Sequence, residues 1–108
     1  MPAADQAPAV ASALERQRDR YLRHLAIERG LSANSVAAYR RDLAAFLAAL
    51  AERGVTDAAG VDADAVRGYV VGLRDREVPL AASSTARVIS SIRGFTRFLV
   101  EEGLIAAD

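Results

Sequence analysis

The sequence predicts an all-α domain, a bundle of four helices with short connections. Three observations carry this. Apolar residues recur in steps of three and four along four segments, alternation of β-branched with polar residues is almost absent, and cap formers and glycines stand where helices would start and stop. Residues 1–13, small, polar and proline-punctuated, are expected to form a flexible N-terminal tail, leaving 14–108 as one domain. The first helix is predicted from Leu14 to Arg29, with Leu14, Tyr21, Leu22 and Leu25 on one stripe and Gly30 closing it in the left-handed region.

The second helix has a strong start. Ser32 can cap it, and Leu31 and Val36 occupy the two positions of a hydrophobic staple. Its expected buried face is Val36, Tyr39, Leu43, Phe46, Leu47 and Leu50, and Gly54 closes it. After a turn-rich stretch from Val55 to Val61, Asp62 caps a third helix, with Val61 and Val66 as the staple pair and Val66, Tyr69, Val70 and Leu73 inward. Arg74 to Val78 is its expected fraying end, since Pro79 forbids continuation. Ser83, Ser84 and Thr85 open a fourth helix. Ile89, Ile92, Phe95, Phe98 and Leu99 fill its inner side, and Gly103 stops it.

Composition narrows the function. The chain has 108 residues, 52% of them hydrophobic and 26% charged, enough to close a core as one domain and too apolar for intrinsic disorder. It contains no cysteine, which excludes disulfides, thiolate metal sites and a cysteine nucleophile. All 14 basic residues are arginine, as a GC-rich gene would give, so no lysine is present to form a Schiff base or a P-loop contact. His24 is the one histidine, which excludes multi-histidine metal sites. Tyr21, Tyr39 and Tyr69 lie on apolar stripes, where core packing accounts for them. No catalytic residues, cofactor, metal or small-molecule substrate are therefore expected. The N-terminus lacks a basic region followed by an apolar run, and no segment is long enough to span a membrane, so a cytoplasmic protein is expected.

Formal net charge is zero, but it is unevenly placed. Residues 14–41 carry seven arginines against three acids, 42–77 carry four against seven, and 78–100 carry three arginines and no acid. Such a dipolar domain can lay one side on a polyanion. Arg87, Ser90, Ser91, Gly94 and Arg97 are expected on the outer side of the fourth helix, with serine and threonine at its start offering backbone N–H groups to phosphate. Ser32, Asn34 and Ser35, followed by Arg40 and Arg41, repeat that chemistry on the second helix. A solvated face with ordinary caps would look the same by charge alone.

Two strings make the pattern specific. YLRHLAIERGLSANSVAAYRRDLAAFLAAL and, much later, SSTARVISSIRGFTRFLVEEGLI combine an ERGLS turn, a YRRDL segment followed by Phe46, and a helix with Arg87, Ser90, Arg93, Phe95 and Arg97 in register. Over residues 20–106 this resembles the N-terminal core-binding domain of tyrosine recombinases, most closely the Xer group and its XerD branch. The resemblance implies a SAM-like bundle of four to five helices that clamps a double-stranded DNA recombination site together with a separate catalytic domain. It implies sister recombinase protomers in a tetrameric synapse, and a role in chromosome dimer resolution and segregation. It also implies DNA contacts from Ser32, Asn34, Ser35, Arg40 and Arg41 on the second helix and from Ser84, Thr85, Arg87, Ser91 and Arg93 on the fourth, with Ser90 or Arg97 as replacements one helical step away. The tyrosine nucleophile and its arginine, lysine and histidine helpers belong to the family's C-terminal domain, so this chain is expected to position DNA without catalysis.

Two alternatives remain at this stage: a phage-type integrase of the same family, and a stand-alone helical module that binds protein through the alanine side of the second helix (Ala37, Ala44, Ala48 and Ala51). A helix-turn-helix regulator is disfavoured, since no short helix pair with a tight turn is present.

Overall fold

A computed structural model describes residues 11–76 and 80–106, so most of the expected tail and the segment around Pro79 lie outside the described residues. The elements are α1 (Ala13–Ile27), α2 (Ala33–Glu52), a single 3-10 turn (Ala58–Gly60), α3 (Ala63–Arg74) and α4 (Ala82–Glu101). The bundle is all-α, as expected.

Helix starts follow local chemistry. Ser12 and Glu15 form a reciprocal capping box, Glu15 N–H to Ser12 Oγ at 3.1 Å and Ser12 N–H to Glu15 Oε1 at 2.8 Å, so α1 begins at Ala13 rather than Leu14. Ser32 accepts from Ser35 N–H at the head of α2, and Asp62 from Ala65 N–H at the head of α3. α4 differs from expectation: its N-cap is Ala81, which has no capping side chain, and the Ser83–Thr85 cluster lies inside the first turn. α2 and α4 both end with paired bonds back into the last turn, closed by Gly54 and Gly103 at positive φ, a conformation that favours glycine.

α2 is the central strut and packs on α1, α3 and α4. Leu14, Leu22 and Leu25 from α1, Leu43, Phe46 and Leu50 from α2, and Ile92, Phe95 and Leu99 from α4 form the dry centre. Each such side chain contributes ~1.5–3 kcal/mol by leaving water. Tyr69 of α3 meets Phe46 edge-on with ring centres 5.1 Å apart. The backbone N–H of Leu14 donates to Thr56 O at 3.2 Å, tying the head of α1 to the loop after α2.

α4 is rotated relative to the expected register. Val88 is buried and Ile89 only half-buried, so the inner face is Val88, Ser91, Ile92, Phe95, Phe98 and Leu99. Gly94 is therefore not an open surface position. It faces Tyr21 of α1 so closely that a Cβ there would overlap the tyrosine hydroxyl. Tyr21 also packs on Phe98 and Phe95, with centroid distances of 5.4 and 5.8 Å.

Candidate nucleic-acid interface

The contact surface proposed from sequence divides into three groups. The first sits at the head of α2. Ser32, Asn34 and Ser35 are exposed there; Ser32 Oγ lies 3.1 Å from Ser35 Oγ and accepts the Ser35 N–H at the same distance. Arg40 and Arg41 follow two turns later, both exposed. The second group is the outer stripe of α4, where Ser83, Ala86, Ser90, Arg93 and Arg97 are exposed at helical spacing. Among the described residues, none of Arg40, Arg41, Arg93 and Arg97 takes part in an ion pair, whereas Arg18, Arg20, Arg67 and Arg87 do. Arg93 and Arg97 also border an open groove whose apolar lining includes Val61, Val66, Val100 and Ile105.

The third group lies in the seam between α2 and α4. Asp42 is buried on α2, and Arg87 reaches its carboxylate with a two-pronged grip, Nε to Oδ2 and Nη2 to Oδ1, each at 2.9 Å. Ser91 Oγ lies 2.9 Å from Asp42 Oδ2 and 3.0 Å from the Arg87 carbonyl. Burial of the carboxyl would push the Asp42 pKa up, but the hydrogen bonds from Arg87 and Ser91 and the charges of Arg87 and Arg41 outweigh it and hold the group below its ordinary value. The same bonds raise the Arg87 pKa above its already high value. No buried side-chain polar atom among the described residues lacks a partner.

The structure corrects the outward placement expected for Ser91 and Gly94. Ser91 has no exposed surface, because its hydroxyl completes the shell of Asp42, a residue 49 positions away that local periodicity does not reveal. Arg87 is in part a seam residue, its side chain 39% exposed while two of its N–H groups bind Asp42. Ser84 and Thr85 are half-buried in the first turn of α4, with Thr85 Oγ1 donating to Ala81 O at 3.2 Å. Arg93 is exposed, as are the two replacements, Ser90 and Arg97. Sequence reasoning missed Asp42; the signal available was an acid inside the otherwise basic YRRDL run and on the edge of an apolar face.

His24 holds Glu28 at 3.0 Å and stacks on Tyr21, a helix-surface arrangement. Among the described residues no three His, Cys, Asp or Glu side chains converge as a metal site would need. No helix among them is long and apolar enough to cross a membrane.

Residues 19–103 match the family described as phage integrase, N-terminal SAM-like domain. The chain belongs to that family. The chain is 43% identical over 93 residues to tyrosine recombinase XerD of Mycobacterium tuberculosis, covering 82% of this chain and 30% of the relative. It is 39% identical over 102 residues to XerD of Mycobacterium leprae, covering 90% and 32%. With tyrosine recombinase XerC of Roseiflexus castenholzii it shares 38% identity over 95 residues, covering 88% and 30%. The chain thus spans about a third of the length of the relatives it matches. No solved structure matches it.

Proposed function

We propose that this SAM-like domain is the DNA-gripping part of a site-specific tyrosine recombinase of the Xer type. The observation that carries the reading is that Arg40 and Arg41 on α2 and Arg93 and Arg97 on α4 are exposed on the two helices that carry the small polar residues, and that none of the four takes part in an ion pair among the described residues. Charge that a protein does not neutralise internally is available to phosphate. Ser90, Asn34 and Ser35 add small polar groups on the same two helices, and the head of α4, without a capping side chain, leaves backbone N–H groups for a phosphate oxygen. Phosphate contacts of this kind fix register on the duplex, and base readout falls to whichever side chains enter the groove.

In this reading, residues 14–108 are the core-binding domain, and strand cleavage by a tyrosine nucleophile belongs to the remaining two thirds that the relatives possess. The lack of lysine and the single histidine, His24 bound to Glu28, support a non-catalytic part. The partners are a double-stranded recombination site and sister protomers in a synapse, in the cytoplasm and in the service of chromosome dimer resolution. The exposed Ala44, Ala48 and Ala51 on α2 suit close packing against such a protomer.

The test is the salt dependence of affinity for a DNA duplex. Three to five phosphate contacts give a log–log slope of roughly −3 to −4.5. A slope near zero would contradict the reading and favour a protein-binding module.

A further inference from the structure

We propose that Asp42 is a positioning residue for the DNA contact: its buried carboxylate grips Arg87 by Nε and Nη2 and so presents the remaining guanidinium edge to a phosphate. The inference rests on the DNA-binding reading and goes beyond it by naming how one contact is held.

Arginine carries five N–H donors in a planar fork. Two of them are spent on Asp42, on Nε and Nη2. The two on Nη1 and the second on Nη2 have no partner among the described residues. The side-chain exposures, 39% for Arg87 and 5% for Asp42, set the direction: the carboxylate is inside and the guanidinium straddles the surface. Ser91 on Oδ2 fixes the carboxylate plane from the third side. A free surface arginine loses rotamer entropy on meeting phosphate, but Arg87 has already lost it in folding. Its neighbours one turn away on α4, Ser83, Ser84 and Ser90, are small and uncharged, so none of them blocks a phosphate from the open edge.

The sign of one substitution separates this role from its rivals. Asp42→Asn raises net charge by one beside a surface meant for a polyanion, so simple electrostatics would tighten DNA binding. An asparagine offers one acceptor atom in place of two, so it cannot reproduce the grip of Nε on Oδ2 and Nη2 on Oδ1. Positioning therefore requires the opposite result, a loss. A purely structural Asp42 would lower the melting temperature yet leave affinity and salt slope unchanged wherever the protein is folded.

The experiment measures affinity of the 108-residue chain for a short mixed-sequence duplex against salt, for wild type, Asp42→Asn, Arg87→Gln and the double variant, each checked for folding by circular dichroism at the assay temperature. The expected result is a roughly tenfold loss for Asp42→Asn, a slope shallower by about 0.9, a matching loss for Arg87→Gln, and no further loss in the double variant. Unchanged or tighter binding by folded Asp42→Asn, with wild type binding normally, overturns the proposal alone. A wild type without salt-dependent binding overturns the DNA reading and this proposal with it. If Asp42→Asn is unfolded at the assay temperature, the Arg87 Nε–H resonance of wild type decides: it should shift on adding duplex while remaining protected from exchange, and a resonance blind to duplex overturns the proposal.

Discussion

The N-terminal half of α4 meets α2 through a buried ionic cluster, whereas its C-terminal half meets α1 through aromatic rings packed around a glycine. The two seams fix the same helix by different physics. Tyr21, Phe95 and Phe98 make a steric fit that is indifferent to charge, worth the apolar area they bury, and dependent on Gly94 having no side chain. Asp42, Arg87 and Ser91 make a directional fit that contributes little net stability, because desolvating the carboxylate offsets much of the attraction. Its geometry is consistent with one rotation of α4 about its axis, the same rotation that the aromatic seam accommodates. In that rotation Ser91 faces Asp42 while Ser90, Arg93 and Arg97 face solvent.

Breaking the aromatic seam should have the largest effect. Phe95→Ala, at a side chain with no exposed surface, is expected to cost ~3–5 kcal/mol in urea unfolding. A loss under about 1 kcal/mol would mean that the seam is loosely packed. Gly94→Ala sharpens the same point. Glycine to alanine within an exposed helix stabilises by ~1 kcal/mol, but here the added methyl meets the Tyr21 hydroxyl, so a net destabilisation of ~1–3 kcal/mol is expected. Pairing it with Tyr21→Phe removes the hydroxyl and should recover part of the loss; no recovery would show that the clash lies elsewhere.

The ionic seam should give the smaller, pH-dependent effect. An Asp42–Arg87 double-mutant cycle is expected to return a coupling of ~0.5–3 kcal/mol at neutral pH. Asp42 has a folded-state pKa below its unfolded value. Its contribution is therefore complete above the unfolded carboxylate pKa of ~3.9 and is lost as pH falls through the lower folded value. Melting temperature measured from neutral to strongly acid pH should show a steeper acid limb for wild type than for Asp42→Asn. Parallel limbs would mean that the carboxylate is not held by its partners.

Most of the bundle was legible in sequence because its signals are local. Ser32 and Asp62 cap within three residues, and the stripe Leu14, Tyr21, Leu22, Leu25 lies within about three turns of one helix. The capping box at Ser12 and Glu15 is equally local, but the prolines and alanines before it give the segment the composition of a tail. The phase of α4 was not legible. Ile89 and Val88 are similar in hydropathy, and a serine at position 91 reads as a surface residue until its partner 49 positions away is known. Asp42 was hidden for the same reason. Of the expected contact residues, Ser32, Asn34, Ser35, Arg40, Arg41 and Arg93 lie exposed on the surface; the cap bonds of Ser32 and Ser35 are local, and none of the six has a long-range side-chain partner among the described residues.

The most direct test of the proposed DNA contact is to map backbone amide shifts of the chain as a duplex is titrated in. The expected result is a footprint on the first turn of α2, on Arg40 and Arg41, and along Ser83, Ser90, Arg93 and Arg97 of α4, fading as salt rises. A footprint centred on α3, around Asp62, Asp64 and Gly72, would contradict it.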